Sequence, residues 1–385
     1  MQKFEKHSPV VVTEVTTKHE LRQFMQYPNR LYADNPNYIP SFYGDDLSDW
    51  TPGKNPAFDY CEARCWLAWR DGEIVGRIGA ILSHKANDKF GTHRMRFSQV
   101  DFVDDSEVSA ALFGMVERWA REKGCDQVHG PLGFTDMDRE GMLVEGFDRR
   151  SLFFTNYNAP YYLEHLTRLG YRKDVDWIEY RITVPAPGSA EAERLHKLSE
   201  FILKRKNLHV ATVHHKSEYG PFVRQVFELV NAAYAPLYGV VELSDEQIER
   251  YANKFIPLVD PEFVCFVLDE QDKLVAFGVT ALDPSVALKH SDGRLFPFGW
   301  AGVLNDLHHS DTLIMLLTAV RPDLQTEGIN AVMMDHVCQS CNRHGVQFAE
   351  TGPMLELNDH ILAQWKRLEK EQHKRRRCFI KDLNH

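Results

Sequence analysis

The sequence predicts an α/β protein made of two domains of one plan, each a mixed and mostly antiparallel sheet with helices on both faces. Three observations carry this expectation. The chain has 385 residues, more than one hydrophobic core usually serves, so two domains are expected. Its apolar and charged fractions, 43% and 26%, are those of an ordinary folded protein. One order of elements also occurs twice: hairpin, strand, long helix, glycine stop, strand with Gly-Pro, helix, closing strand. Gly130-Pro131 and Gly352-Pro353 hold matching places in that order.

In the first half, residues 10–15 read as a strand and 18–26 as a helix. An aromatic, proline-rich passage through Asn35-Pro36, Ile39-Pro40 and Asn55-Pro56 follows. Runs 65–69 and 74–81 flank Arg70-Asp71-Gly72-Glu73, a hairpin signal because Asp-Gly suits the left-handed turn that matches strand twist. Residues 97–103 form a strand that meets Asp104-Asp105-Ser106. These are side-chain acceptors fit to cap a helix over 107–123 that stops at Gly124. Within it Ala111, Leu112, Met115, Val116 and Trp119 share one stripe. A helix over 160–169, closed by Gly170, and a strand over 177–184 complete the half. Pro185-Ala186-Pro187-Gly188 then breaks the chain, which sets the domains at 1–185 and 190–385.

The second half opens with a helix over 191–206 and a strand over 209–214. Helices over 221–234 and 244–255 lead to a hairpin of strands 263–268 and 274–281. A strand over 312–320, a helix over 329–343 ending before Gly345, and a strand over 346–350 come next. A helix over 359–371 and a strand over 376–381 close the chain.

Charge and cysteine usage narrow the functional classes. A net charge of −10 argues against a partner bound through a phosphate backbone, so no nucleic acid is expected. A basic run, Lys374-Arg375-Arg376-Arg377, could meet phosphate but reads rather as a solvated strand end. No apolar run is long enough to cross a bilayer, and residues 1–6 lack a signal-peptide core, so a cytoplasmic protein without a membrane partner is expected. Seven scattered cysteines suit a reducing compartment. Cys338-x-x-Cys341 has no second pair to complete a zinc site and reads as two structural thiols. The adjacent pairs His214-His215 and His308-His309 do not share a face on a helix or strand. No metal is expected.

The chemistry concentrates in Leu316-Leu317-Thr318-Ala319-Val320-Arg321-Pro322-Asp323-Leu324-Gln325-Thr326-Glu327-Gly328-Ile329-Asn330. An apolar strand ends at Arg-Pro, a short polar loop holds a glycine, and a helix starts at once. Such a loop aims backbone N–H groups at one anion, reinforced by the helix dipole. The alternative is an ordinary strand-to-helix turn. The corresponding place in the first half, Asp104-Asp105-Ser106-Glu107, has carboxylates and no glycine, and repels phosphate.

This segment resembles the signature of the GCN5-related N-acetyltransferase (GNAT) superfamily, Gln/Arg-x-x-Gly-x-Gly/Ala, with Gln325, Gly328 and Asn330 at its fixed positions. Asn330 departs from the small residue of that pattern, and Glu327 is an acid among the phosphate-binding amides. Runs such as Lys54-Asn55-Pro56-Ala57-Phe58, Asp71-Gly72-Glu73-Ile74-Val75-Gly76 and Asn158-Ala159-Pro160-Tyr161-Tyr162 look like a bacterial group of tandem acetyltransferase-like proteins, the YghO-like group. The resemblance implies two tandem acyl-CoA N-acyltransferase folds, a degenerate first and a second with the acyl-CoA loop. It also implies an acyl-CoA co-substrate, acetyl-CoA or another. The backbone of Gln325, Thr326, Glu327, Gly328, Ile329 and Asn330 would hold the pyrophosphate, and the strand edge at Ala319 and Val320 the pantetheine.

Transfer to a small amine or amino-acid-like acceptor needs a proton acceptor. Glu350, at the end of strand 346–350, is the first candidate and Asp306 the second. A solvated or capping role is the alternative for Glu350. The last helix lacks the tyrosine that members of the superfamily use as an acid, so either Tyr234 or Tyr238 serves in its place or proton return relies on water. The polar and aromatic residues Asp136, Asp138, Glu140, Tyr161 and Tyr162 of the first half read as a surface loop with core tyrosines, or as a pocket for a cationic amine. The rival to an enzyme is a non-catalytic ligand-binding or interaction protein on a degenerate scaffold. A transferase using charged tRNA would want a basic face. Acceptor identity, acyl length and oligomeric state stay open.

Overall fold

A computed structural model describes residues 8–383; the stretch 1–6, read above for a signal-peptide core, lies outside them. The chain divides into two units. The first holds the residues up to Asp176, the segment Leu288–Trp300 and the chain from Lys374 onward. The second holds Trp177–Ala287 and Ala301–His373. The chain therefore leaves the first unit inside a strand, at Asp176, ahead of the proline-glycine run 185–188.

In chain order the elements begin with β1 (Val11–Glu14), α1 (Lys18–Leu31), α2 (Tyr43–Asp49), β2 (Cys61–Arg70) and β3 (Glu73–Ser83). Next come α3 (His84–Phe90), β4 (Arg94–Phe102), α4 (Ser106–Glu122), β5 (Gln127–Gly130), β6 (Met142–Glu145), α5 (Tyr162–Arg168) and β7 (Arg172–Thr183). The chain continues with α6 (Ala190–Lys206), β8 (His209–Val210), α7 (Gly220–Tyr234), α8 (Asp245–Phe255), β9 (Val264–Leu268) and β10 (Leu274–Leu282). It ends with α9 (Ser285–His290), α10 (Gly299–His309), β11 (Thr312–Val320), α11 (Asn330–His344), β12 (Phe348–Glu350), β13 (Met354–Leu355), α12 (Asp359–Ala363) and β14 (Lys370–Asp382).

In the first unit the strand order is β1-β2-β3-β4-β5-β14, with β6 also pairing β14. The β2–β3 hairpin runs in antiparallel register from Cys61↔Ser83 to Arg70↔Glu73. Its turn places Asp71 at φ 51° and Gly72 at φ 82°, the left-handed geometry that selects Asp-Gly. Helix α4 starts where the Asp105 carboxylate accepts from the N–H groups of Glu107 (2.8 Å) and Val108 (3.4 Å). It lays Val108, Leu112, Phe113, Val116 and Trp119 onto Ile78, Met95, Phe97 and Phe102 of the sheet.

On the sheet of the first unit a buried ion pair joins β3 to β4. Arg77 donates from Nε to Asp101 at 2.7 Å and from Nη1 to the Phe24 carbonyl at 2.8 Å. Burial pushes the Asp101 carboxyl up, and the Arg77 guanidinium pulls it back. Arg77→Met removes the counter-charge and strands the carboxylate, so urea unfolding of this variant is expected to show a loss of about 3–5 kcal/mol. A loss below about 1 kcal/mol, the scale of exposed pairs, contradicts that account.

The basic run expected to be a solvated strand end is instead an interior part of β14. Lys374 and Arg376 are 1% and 0% exposed. The Lys374 ammonium donates to the Arg150 carbonyl at 2.9 Å, and Arg376 donates to the Asn156 carbonyl. Arg375 and Arg377 both clamp Asp176, at 3.1 and 2.7 Å. Each cation has an oxygen partner, which is the condition for burying it. The helix expected over 359–371 is likewise shorter: α12 ends at Ala363, a single 3-10 turn Gln364–Arg367 follows, and the chain is already strand from Lys370.

In the second unit the order is β7-β12-β11-β10-β9-β8, with β13 also pairing β7. Val332 and Met333 of helix α11, with Ile329 just before it, pack with Cys265, Val267, Val275, Ala276 and Val320 of the sheet and Ile202 of α6. Helix α7 covers the other face, where Phe222 stacks on Phe266 with centroids 4.5 Å apart. The thiols of Cys338 and Cys341 are buried and free, and burial pushes them up to about 11 and about 12, as structural thiols require. No helix among the described residues is long and apolar enough to cross a membrane.

Candidate acyl-donor site

Both units contain a parallel strand pair that parts early. In the second unit β11 and β12 pair only at Thr312↔Phe348, Leu313↔Ala349 and Ile314↔Glu350. Strand β11 then runs on to Val320 with β10 alone beside it. Its residues Met315 to Thr318 change from buried to half-buried at that point. The register against β10 also slips there, Val279 facing Leu317 and Thr280 facing Met315. Leu316 is thus a bulge residue, a device that bends a strand and re-aims its edge.

The open edge has a defined polarity. The Arg321 N–H bonds the Val275 carbonyl, so alternation along an antiparallel ladder turns the groups of Leu317 and Ala319 toward β10 and those of Thr318 and Val320 outward. Two side chains already reach this edge. Tyr234 donates its hydroxyl to the Thr318 carbonyl at 2.7 Å, and Gln325 donates to the Val320 carbonyl at 3.4 Å. Both partners are carbonyls. The outward N–H groups of Thr318 and Val320 donate to nothing among the described residues, so an extended amide-bearing ligand has donors to pair with.

The loop beyond β11 is partly self-satisfied. The N–H groups of Leu324 and Glu327 close turns onto the carbonyls of Arg321 (2.8 Å) and Leu324 (3.1 Å). Those of Gly328, Ile329 and Asn330 stand at the start of α11 and donate to no group among the described residues, while the Gly328 carbonyl takes the Ala331 N–H at 2.9 Å. Gly328 has φ +80°, and a Cβ there would lie 3.2 Å from Ile202 Cδ1. Position 328 therefore favours glycine both for its left-handed backbone and for space. Glu327 does not face the amides. Its carboxylate meets the Lys206 ammonium at 2.7 Å, which holds it below its ordinary range. Ile329 is 1% exposed and anchors the loop in the core, and Thr326 is exposed.

The catalytic candidates divide in two. Glu350 is buried where β12 ends, with Arg181 at 3.6 Å and His373 at 3.9 Å. Arg181 is in turn stacked on Phe348, 4.1 Å from the ring centroid. Tyr234 stands on the open edge as described, and Tyr238 sets its ring edge-on to Trp177 at 6.1 Å. Asp306 is elsewhere: from α10 it accepts the Ala287 N–H at 2.7 Å and so caps α9, a short acceptor at a helix start. Arg181 and His373 were not singled out in the sequence. They reach Glu350 from strands far away along the chain, and only cross-strand register brings them together.

Beside β11 and α11 lies a cavity of about 90 Å³. Ile182, Met315, Leu317, Met333, Met334 and Val337 are among its lining residues, as is Asn330, the first residue of α11.

In the first unit the same parting occurs and is filled from within. Strands β4 and β5 pair at Arg94↔Gln127, Met95↔Val128 and Arg96↔His129, after which β4 runs on to Phe102. There Tyr162 accepts the Phe102 N–H at 2.7 Å, and Tyr161 donates to the Phe102 carbonyl. The N-terminus of α4 is held by Asp105, which also pairs with Arg70 at 2.5 Å. The loop carboxylates beyond β5 are half-buried: Asp138 accepts from the N–H groups of Phe134 and Thr135, and burial pushes Asp136 up to about 6. His129, Asp174 and Cys378 bring their ligand atoms within 4.8 Å of one another. Arg94 stands 3.8 Å from Asp174, and burial, followed by Arg96 and Arg94, holds His129 well below its ordinary range. Two guanidiniums oppose a cation at that place.

No family model matches the chain. Protein YghO of Escherichia coli (strain K12) is 27% identical over 383 residues, spanning 97% of this chain and 95% of that protein. Bacterial ceramide synthase of Caulobacter vibrioides (strain NA1000 / CB15N) is 29% identical over 299 residues, 76% of this chain and 75% of that protein. Among solved structures, a tandem GNAT protein from the clavulanic acid biosynthesis pathway superposes with a TM-score of 0.55 at 13% identity, covering 98% of this chain and 99% of the other. The chain therefore has the fold of the tandem GNAT proteins, and its likeness to Protein YghO extends over nearly its whole length.

Proposed function

We propose that the second unit transfers an acyl group from acyl-CoA to an amine, and that the acyl group is a long chain rather than acetyl. The observation that carries this reading is the run of β11. Its open edge leads from the three open amides of Gly328, Ile329 and Asn330 to a cavity walled by aliphatic side chains and methionines. The amides suit a diphosphate, the edge suits the amide-bearing arm that follows it, and the cavity suits hydrocarbon. The name of the Caulobacter relative, a ceramide synthase, agrees with chains of lipid length.

In the reaction the amine nitrogen attacks the thioester carbonyl carbon, the C–S bond breaks, and the sulfur leaves as CoA thiolate and takes up a proton. Glu350 accepts the proton the amine sheds, directly or through water, and Arg181 holds its carboxylate in place. The outward N–H groups of β11 offer donors to the developing oxyanion.

Thermal shift against a series from acetyl-CoA to hexadecanoyl-CoA tests the reading. Stabilisation should rise with chain length, reaching about 2.7 kcal/mol at a hundredfold excess over Kd. No stabilisation by any member at millimolar concentration defeats it. The Glu350–Arg181 pair also fits a scaffold that binds without reacting; stabilisation by acyl-CoA with no turnover of any amine favours that second reading.

A further inference from the structure

The chain between α9 and α10 raises large aromatic rings into solvent. Phe296 and Phe298 are each 81% exposed, and Trp300 is 48% exposed. Single exposed apolar residues are ordinary, whereas large ones grouped in one short segment mark a surface that meets a partner. We infer that this tip is an interfacial anchor whose rings enter the headgroup and upper acyl region of a lipid bilayer with anionic headgroups. The inference stands apart from the donor reading, because it needs no acyl-CoA.

The tip is held in place. Its segment, Leu288–Trp300, belongs to the first unit, and its base is tied there. Lys289 donates to the Asn35 carbonyl at 2.8 Å, and Asn29 donates to the Asp292 carbonyl at 3.1 Å. The Tyr43 N–H bonds the Gly293 carbonyl at 3.0 Å. Gly293 has φ +74°, and a Cβ there would collide with the Ser41 carbonyl, so only glycine lets the base lie this close to residue 41. The Arg294 guanidinium lies 5.2 Å from the Tyr43 ring centroid. Beyond this base the Trp300 N–H bonds the Leu295 carbonyl at 2.9 Å, and its indole N–H donates to the Pro297 carbonyl at 3.1 Å. The turn that carries Phe296 and Phe298 is thereby closed on itself with both rings outside it. Rings displayed on an ordered turn lose little further freedom when they enter a partner.

Charge and composition identify that partner. Between Asp292 and Asp306 the sequence holds no acid and one base, Arg294, in a chain whose net charge is −10. This stretch meets anionic headgroups without the repulsion that carboxylates would bring. Tryptophan suits the boundary of headgroup and hydrocarbon, having an apolar ring and a polar N–H. A protein interface matches shapes and surrounds its apolar centre with a polar rim. Rings that stand so clear of their own chain fit a fluid better than a fixed pocket. The expectation of no membrane partner rested on the lack of a spanning segment, and an interfacial anchor needs none.

Flotation of the full chain with vesicles of phosphatidylethanolamine and phosphatidylglycerol tests this. The wild-type protein is expected to float with the vesicles. Phe296→Ser combined with Phe298→Ser is expected to weaken binding at least about tenfold, the scale of phenyl rings kept from hydrocarbon. Thermal unfolding of that variant should match the wild type, because rings so exposed support little of the fold. Phospholipid brominated on its acyl chains should quench the wild-type fluorescence, and Trp300→Phe should lose that quenching yet still float. Quenching reports this position because Trp50, Trp66, Trp119, Trp177 and Trp365 are buried and Trp69 is half-buried. Failure of the wild type to float, undiminished binding by the double variant, or quenching that survives in Trp300→Phe overturns the proposal. So does a wild-type dimer in sedimentation velocity that the double variant turns into a monomer, which assigns the tip to a second copy of this chain.

Discussion

Replacing Gly328 by glutamate abolishes acyl-CoA binding while leaving the protein folded. Three effects act together. Position 328 has φ +80°, a conformation that costs a residue with a Cβ roughly 1–2 kcal/mol. The Cβ would crowd Ile202 Cδ1 at 3.2 Å and so turn the amide away from its line. The added carboxylate then repels the diphosphate it replaces as the occupant of those amides. Hydrogen bonds to a charged group contribute about 1.5–3 kcal/mol each, so losing two of them weakens binding by about a hundredfold or more. Gly328→Ala separates the terms, because it brings the strain and the crowding without the charge, and a partial loss is expected. Isothermal titration with hexadecanoyl-CoA checks both. Wild-type affinity in Gly328→Glu would remove the loop from the site.

The second large effect is expected at Glu350. Glu350→Gln keeps the shape of the side chain and removes its capacity to take a proton. Turnover should fall by about 10²–10⁴, the usual worth of general base catalysis, with acyl-CoA affinity unchanged. The neutral side chain also leaves Arg181, 3.6 Å away, without its charge. That guanidinium keeps its stacking on Phe348 and about a third of its surface in water, so the stability loss should be small. The two roles have different signatures. A base loses kcat and the acid limb of the pH–rate profile; a mere ion-pair partner keeps both. Full turnover in Glu350→Gln assigns Glu350 to structure alone.

The parts of this architecture legible in the sequence are those determined by near neighbours. Asp71-Gly72 marked its hairpin because a two-residue turn has local requirements. Asp105 and Gly124 marked α4 because caps act within a turn or two of the chain. The segment from β11 to α11 was legible because a strand, a loop with glycine and a helix follow in immediate succession.

What escaped reading depends on distant partners. Lys374 and Arg376 look solvated in sequence because the carbonyls that satisfy them belong to Arg150 and Asn156. Asp306, the second candidate proton acceptor, takes the Ala287 N–H at the start of α9, a partner that only the folded chain brings to it. Arg181 and His373 near Glu350 could be found only from pairing between strands. The first unit's tyrosines are a similar case. Tyr161 and Tyr162 carry no local sign that they complete the edge of a strand some sixty positions earlier.

The place of β14 has a consequence for how the protein is made. Its residues from Lys374 on complete the first unit and pair with β5 and β6. During synthesis the first unit therefore emerges from the ribosome with the partner of β5 still unmade, and a strand edge stays exposed until residues 379–382 follow. Unpaired edges of that kind invite association between nascent chains. Helpers that shield them should matter most for the part of this protein that is translated first.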